Sequence, residues 1–432
     1  MVPCAILDAN KVKAGATAFS ICSTAGIMMI TRRHFALGAA VAAPALGMMA
    51  AQGASDRIRV GLIGCGARGV DAHIKSLLKM KESDNVEISA VCDVFDKRAQ
   101  RAASMTGGKP YQDYREMLGN RDVDVVVIAT PDHLHAKMAM DAANAGKHIY
   151  CEKPMTHSVE EAKQLVATIK KTGVKLQVGV QGMSDDSYET AYKHVAAGDL
   201  GKVVLAQIDY SRNYKDDYWL KPVDADLKPG VNFNWDLFLG SAPKRPFDAE
   251  RYFNWIRYFD YSGGVPAGLF VHRATRMIKS LGLKFPEYGS AMGGKFEFTN
   301  SSAEVPDTIN IMLDYPGGPT VMLISSLAND TPVAHTLRGH KATLEFTPEG
   351  FVIRPQKLFA NEVKEIVHKK TGAEDTELHL RNLLRAVRGQ EELKCDVMLG
   401  YYGVVACQFG IQSQRERKYL KWDAVNERIV TA

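Results

Sequence analysis

Val60-Gly61-Leu62-Ile63-Gly64-Cys65-Gly66-Ala67-Arg68-Gly69 decides how the rest of this chain is read. A short apolar strand, Ile58–Ile63, runs into three glycines, and a helix with apolar residues at helical spacing follows over Val70–Lys79. Each glycine has a physical reason. Gly64 permits the tight turn, Gly66 lets a pyrophosphate approach the main chain, and Gly69 allows the helix to pack closely on the strand. An anion at such a turn meets the positive end of the helix and its free amides, which brings in Ala67 and Arg68. A purely structural turn is the alternative.

The next strand, Val86–Cys92, ends in Asp93, at the distance where an acid accepts hydrogen bonds from the ribose hydroxyls of an adenosine. An acid there disfavours a 2′-phosphate, so the reading is a dinucleotide site that prefers NAD over NADP. The alternation continues with strands at Val123–Thr130, His148–Cys151 and Leu176–Val180 and helices at His133–Ala145 and Val159–Lys171. Gly146 and Gly173 fall where these helices should stop. Uninterrupted apolar strands separated by helices imply a parallel sheet covered on both faces.

Two polar segments leave the carboxyl ends of buried strands. Ala129-Thr130-Pro131-Asp132-His133-Leu134-His135 is one, and Glu152-Lys153-Pro154 is the other. Open α/β sheets bind ligands at that edge, so Thr130, Pro131, His135, Glu152 and Lys153 join the candidate cofactor residues. A lysine there can stand near a nicotinamide and a substrate hydroxyl, lowering the hydroxyl's pKa or sharing in proton relay. A solvated loop lysine is the plain alternative.

Beyond Val180 the texture changes. A helix at Tyr188–Ala197 leads to a strand at Val203–Tyr210, then an aromatic stretch to Tyr261 and a helix at Leu269–Leu281. Strands at Gly293–Phe298, Thr308–Tyr315, Thr320–Ser326 and Ala342–Thr347 lie close together and predict an antiparallel or mixed sheet. Helices at Glu377–Val387 and Gly400–Gln414 finish the chain. The division expected is residues 1–54 as extension and signal, 55–180 as dinucleotide-binding domain and 181–432 as substrate and oligomerisation domain.

The chain has 432 residues, 46% of them hydrophobic and 24% charged, as in globular proteins, and a length that calls for two domains. A formal net charge of +5 without a Lys/Arg run excludes nucleic acid as the expected partner. Of seven cysteines, Cys4 and Cys22 precede the expected mature chain. Cys65, Cys92, Cys151, Cys395 and Cys407 show no metal-ligand spacing, so no metal is expected.

Thr31-Arg32-Arg33-His34-Phe35, the apolar stretch to Met49 and the small residues Ala51-Gln52-Gly53 read as a twin-arginine export signal. Translation from Met28 or Met29 would put the arginine pair at its usual place. The apolar stretch is short for a spanning helix, so removal is expected, with an uncleaved anchor as the alternative. No later apolar run is long enough to span a bilayer. The protein is therefore expected in the periplasm, where no soluble nicotinamide pool exists. A nicotinamide enzyme there has to carry its cofactor and regenerate it in place.

The glycine triad, Asp93, the Thr130–His135 segment and Glu152-Lys153-Pro154 together resemble the glucose–fructose oxidoreductase / inositol dehydrogenase / MocA family. Asn234–Gly240, Arg245-Pro246-Phe247-Asp248 and Tyr258–Gly264 resemble segments of an exported branch of it. The resemblance implies a Rossmann domain, a C-terminal domain with a large open, mostly antiparallel sheet, oligomerisation through that sheet, and chemistry on sugars, polyols or glycosides. It also implies that Lys153 is the active-site lysine and His272 the acid/base histidine. Many members carry an aspartate four residues before that histidine; here the position is Gly268, so either Asp260 or Asp209 orients the imidazole, or the histidine is a weaker base, or ordinary alcohol oxidation is not the main activity.

Between Tyr210 and Tyr261, aromatic rings alternate with hydrogen-bond donors, as a polyhydroxylated ligand requires. Arg212, Asn213, Tyr214 and Trp219 are the candidate sugar contacts, and His379 with Asn382 could face the same cleft or be structural. The expected function is an exported oxidoreductase with tightly bound NAD acting on a sugar or polyol by hydride transfer. A redox-assisted glycosidase and a weakly catalytic sugar-binding protein are the alternatives.

Overall fold

The computed structural model describes residues 56–432; the arginine pair and the apolar stretch behind it lie outside the described residues. Six parallel strands form the first sheet: β1 Ile58–Ile63, β2 Val86–Cys92, β3 Lys109–Tyr111, β4 Val125–Ile128, β5 His148–Glu152 and β6 Leu176–Gly179. Their order is β3-β2-β1-β4-β5-β6, so the chain reverses direction across the sheet between β1 and β4. In open α/β sheets the ligand crevice opens at that switch point, beyond the carboxyl ends of the strands. Every residue of β4 is buried, as helices on both faces require.

The elements differ from expectation where side chains intervene. The helix after the glycine turn begins earlier, as a wide π-helical turn over Arg68–Ile74 that continues as an α-helix to Lys79. An unanticipated helix, Asp96–Thr106, connects β2 to β3 and ends at Gly107 with φ +75°.

The second sheet has ten strands: β7 Val203–Asp209, β8 Tyr288–Gly294, β9 Thr308–Asp314, β10 Thr320–Ser326, β11 Thr336–Gly339, β12 Ala342–Thr347, β13 Gly350–Pro355, β14 Ile366–Lys369, β15 Leu420–Asp423 and β16 Arg428–Thr431. Their order is β14-β13-β12-β11-β7-β10-β9-β8-β15-β16, and only β7 and β10 pair in parallel. The strand expected at Gly293–Phe298 is displaced to β8. Asp307 is the cause: its Oδ2 accepts the amides of Phe296, Glu297 and Phe298 at 2.9, 3.1 and 3.1 Å and folds that segment into a loop.

One face of this sheet packs on helices Val271–Leu281 and Val397–Glu416, with Ile309, Ile311, Leu313, Val321 and Leu323 turned inward. Gly410 is needed in the second helix, because a Cβ there would lie 2.1 Å from Ile311 Cδ1. The other face carries Met292, Met312 and Met322, all unburied; Met322 pairs directly with Met312, while Met292 stands opposite Asn310. Helix Thr376–Val387 turns away and packs Leu380, Leu383 and Leu384 against Val60, Leu62 and Ile74 beside the first sheet. Its start is thereby brought to the switch-point crevice.

The stretch from Tyr210 to Tyr261 is mostly core, not sugar surface. Phe233, Phe238, Tyr252, Phe253, Tyr258 and Tyr261 form a buried cluster with Phe95, which follows Asp93. Main-chain bonds lock the two regions together, from Asp96 N to Asn232 O at 2.9 Å and from Asn234 N to Val94 O at 3.0 Å. Among the described residues no helix is long and apolar enough to cross a membrane, and all five cysteines there are buried and free.

Candidate active site

A cavity opens at the carboxyl ends of β1, β2 and β4, lined by Gly64, Gly66, Ala67, Arg68, Asp93, Thr130 and Pro131. Gly64 holds φ +94°, and a Cβ there would lie 2.6 Å from Ala129 O, so only glycine makes this turn. Gly69 does not line the cavity. It lets the helix approach, since its Cβ would lie 2.0 Å from Gly64 O. A Cβ on Gly66 would meet nothing nearer than Arg98 Nη1 at 3.7 Å, which leaves the main chain of the turn open to a ligand. Among the described residues the amides of Gly66 and Ala67 find no protein acceptor.

Asp93 is buried and points back at the turn. Its Oδ2 accepts Cys65 N at 2.8 Å and its Oδ1 accepts Phe95 N at 2.9 Å. Burial raises its pKa against the pull of Arg98 and of those amides. Arg98 is in turn fixed by Tyr252, donating to its hydroxyl at 2.9 Å while stacking over its ring. Leu237, Phe238, Tyr252, Phe253 and Trp255 close the cavity from the second domain.

A second cleft adjoins the first; Ala67, Arg68, Ala129, Thr130, Lys221 and Trp255 line both. Lys153, at the end of β5, donates from Nζ to Gly268 O at 3.1 Å. Gly268 lies in a π-helical turn, Pro266–Phe270, directly before the helix that carries His272. This turn exposes a carbonyl to the lysine and sets the imidazole beside it. π-Turns inside helices recur at functional sites. Burial, and then the charges of Lys153 and Arg276, hold His272 well below the ordinary histidine range. The imidazole is therefore neutral at ordinary pH and able to accept a proton.

Glu152 underlies this cleft. Its Oε1 accepts Arg68 Nε at 2.7 Å, His73 Nε2 at 2.9 Å and Gln181 Nε2 at 3.2 Å. Burial alone would raise its pKa, but Arg68 and His73 outweigh that and hold the carboxyl well below the usual range. Glu152 is an anchor for the glycine-turn helix and the strand bearing Lys153, with its oxygens already taken by protein donors.

The carboxylate nearest His272 is neither of those expected. Asp209 is bonded to His335 at 2.7 Å, and Asp260 is held by Arg245 and Arg251. Glu374 occupies the place instead. Its Oε1 lies 3.9 Å from His272 Nδ1, and its Oε2 is bonded to Arg276, one turn further along the same helix. His272 Nδ1 is buried with no hydrogen-bond partner of its own. No sequence signal near Glu374 announces this role, because helix Thr376–Val387 delivers it from more than 100 residues away.

Two other candidates lie elsewhere. His135 is buried, and its ring nitrogens face Pro154 O at 2.7 Å and Thr130 O at 2.9 Å, so it fastens two loops together and lines neither cavity. Asn213 is exposed in a bridge to Ala328 and points away from the cleft walls, which take Arg212, Tyr214 and Trp219. Alternation of side chains along an extended segment explains this, since Arg212 and Tyr214 share one side. Trp219 adopts φ +56°, a left-handed conformation uncommon for a bulky residue, beside the buried Tyr218. His379 and Asn382 are structural: His379 bonds to Val178 O at 2.9 Å, and Asn382 accepts from Gln177 at 2.7 Å.

A Rossmann sheet whose glycine turn opens into a cleft holding a lysine and a neutral histidine is joined here to a second, mostly antiparallel sheet. Residues 58–180 match the GFO_IDH_MocA profile, described as an oxidoreductase family with NAD-binding Rossmann fold. It is 30% identical over 203 residues to inositol 2-dehydrogenase of Rubrobacter xylanophilus, which is 47% of this chain and 54% of that enzyme. The chain thus spans about half the length of the curated relatives it matches. Among solved structures it superposes on levoglucosan dehydrogenase in complex with NADH with a TM-score of 0.65 at 18% identity, covering 84% of this chain and 99% of that one. The WlbA dehydrogenase of Bordetella pertussis, in complex with NADH and UDP-GlcNAcA, gives a TM-score of 0.63 at 21% identity over 84% and 98% of the two chains. Both likenesses concern the fold.

Proposed function

We propose that this chain is an exported oxidoreductase that keeps NAD bound and acts on a CH–OH group of a sugar, polyol or sugar derivative. The observation that carries the reading is the continuity of the two cavities: the glycine-turn cavity and the Lys153–His272 cleft share Ala67, Arg68, Ala129, Thr130, Lys221 and Trp255 as walls. The glycine turn fits a dinucleotide, with open main chain at Gly66, free amides at Gly66 and Ala67, and Asp93 at the next strand end. Bound there, the nicotinamide supplies a hydride acceptor.

The chain's own residues do the rest. The Lys153 ammonium, already donating to Gly268 O, binds the reacting hydroxyl with its remaining donors. His272 presents Nε2, since Nδ1 faces Glu374, and takes the hydroxyl proton as the ring-carbon C–H gives up its hydride. Tyr214 and Trp219 offer apolar contact for the sugar's C–H groups.

Three further points belong to the same reading. The aromatic cover over the first cavity supports retention of the nucleotide. The arginine pair at Arg32-Arg33 supports export to the periplasm. The unburied methionines Met292, Met312 and Met322 on the open sheet face support a homo-oligomer.

The covered cavity also favours a second reading, a redox-assisted glycosidase. Transient oxidation of a ring carbon would acidify the neighbouring C–H and release the aglycone before the carbon is reduced again. Glu374 beside His272 weakens the case for a sugar-binding protein without catalysis, since a carboxylate is present after all.

The test is to purify the chain without added nucleotide, pass it through gel filtration, and record absorbance at nicotinamide wavelengths as sugars are added. Bound nucleotide that changes redox state on sugar addition is expected. Release of nitrophenol from aryl glycosides without added NAD selects the glycosidase. Protein free of nucleotide that also fails to bind NAD in calorimetry overturns both.

A further inference from the structure

The carboxylates lining the catalytic cleft are all engaged by the protein. Glu152 is held by Arg68 and His73, Glu374 by Arg276, Asp71 by Lys75 at 2.8 Å, and Asp132 by the Ser262 hydroxyl at 2.7 Å. Three of the cleft's cations, Lys153, Arg212 and Lys221, have no carboxylate partner among the described residues, and Lys153 is engaged by the Gly268 carbonyl. Lys221 stands where the two cavities meet. Arg212 lines the catalytic cleft alone, away from the glycine turn.

Arg212 is exposed at the cleft mouth and rests on two tyrosines. Its Nη1 donates to the Tyr214 hydroxyl at 3.4 Å, and its Cζ stands over the Tyr210 ring, 5.5 Å from the centroid. The same Tyr210 ring meets His272 edge-on at 6.1 Å, and its other approach is covered by Arg273 at 4.2 Å. One aromatic ring therefore separates an unneutralised guanidinium from the acid/base imidazole. A hexose seated in the cleft against Tyr214, beside the covered Tyr210 ring, turns a reacting hydroxyl toward His272 and a substituent toward Arg212.

We propose that the substrate carries a carboxylate, as a hexuronic acid or its glycoside does, and that Arg212 binds it across the sugar ring from His272. This rests on the reading of the cleft as a sugar site. A guanidinium pairs a planar carboxylate through two parallel hydrogen bonds, and such charge-assisted bonds are about twice as strong as neutral ones. A neutral hexose offers Arg212 only hydroxyl contacts. With the cleft's own carboxylates all occupied, nothing in the protein competes for the guanidinium.

The experiment uses the full chain as purified and four probe pairs: the hexuronic acids glucuronate, galacturonate, mannuronate and iduronate against their neutral hexoses. Binding is read by calorimetry and by quenching of tryptophan fluorescence, and turnover by reduction of the bound nicotinamide. At least one uronate should bind ten-fold or more tightly than its neutral partner, with the difference shrinking as salt rises from 50 to 500 mM. Arg212→Gln should reduce the uronate-to-neutral ratio at least ten-fold, and Arg212→Lys should keep part of it. Equal or weaker binding of every uronate, or a ratio unmoved in Arg212→Gln, overturns the proposal. Protein without nucleotide would sink the redox reading and leave the binding arm to judge the charge preference alone. A protein that reduces its nucleotide with neutral sugars only would do the reverse.

Discussion

His272 Nδ1 and Glu374 Oε1 face each other at 3.9 Å across the cleft, though 102 residues separate them in the chain. A carboxylate on that side favours the tautomer with its proton on Nδ1 and leaves Nε2 for the substrate. Glu374→Gln is expected to lower kcat about 10–100-fold with a smaller change in KM, the usual effect of removing a carboxylate behind a working histidine. Gly268 has room for a side chain, its Cβ meeting only Ile256 Cδ1 at 3.4 Å. The pair Glu374→Ala with Gly268→Asp should therefore recover part of the activity lost in Glu374→Ala alone. Steady-state kinetics of the three variants decide it; no loss in Glu374→Gln would release Glu374 from the role.

Trp255 lines both cavities and is only half-buried, so its removal opens the cover without emptying a core position. Trp255→Ala should let bound nucleotide escape on gel filtration while the wild type retains it. The ratio of absorbance at 260 and 280 nm reads the outcome, and retention equal to wild type would place the hold elsewhere.

Gly64→Ala forces a Cβ to within 2.6 Å of Ala129 O at φ +94°. Left-handed backbone costs an L-residue about 1–2 kcal/mol before that clash is counted. A lower melting temperature together with loss of NAD binding is expected. A variant that melts normally and binds NAD would show that the turn tolerates a side chain.

Stability should fall as the solution is acidified from neutrality. Burial lowers His133 to about 3 and His379 to about 4, so both stay neutral in the folded chain and charge only when it unfolds. Their folded pKa values lie below the unfolded value of about 6.5, so the unfolded state binds more protons below that pH and gains on the native one. The loss begins near pH 6.5 and is complete below about 3. Burial raises Asp93 and Asp132, which offsets part of the loss only in the carboxylate range. Melting temperatures measured between pH 7 and 5 should therefore decline. A flat profile there would contradict the burial of these imidazoles.

The Rossmann half was legible because its signals are local. A glycine turn, a strand-end acid and continuous apolar runs each involve neighbours in the chain, and the positions of Gly64 and Asp93 follow from them directly. The same logic failed at Gly293–Phe298, where Asp307 captures three amides and overrides an alternating pattern. It also misjudged the aromatic stretch, since periodicity cannot tell a ring that stacks on a ligand from one that packs on Phe95.

Sequence alone determined the nucleotide turn, the parallel sheet behind it and the resemblance that singled out Lys153 and His272. Only the tertiary structure decided what surrounds them: the Gly268 carbonyl on the lysine, Glu374 beside the imidazole, His135 and Asn213 outside the cleft, and Arg212 set between two tyrosines. The physical reason is range. Turn geometry and hydrophobic period are set by residues a few positions apart, whereas charge partners are chosen by whichever elements the packing of the two sheets happens to bring together.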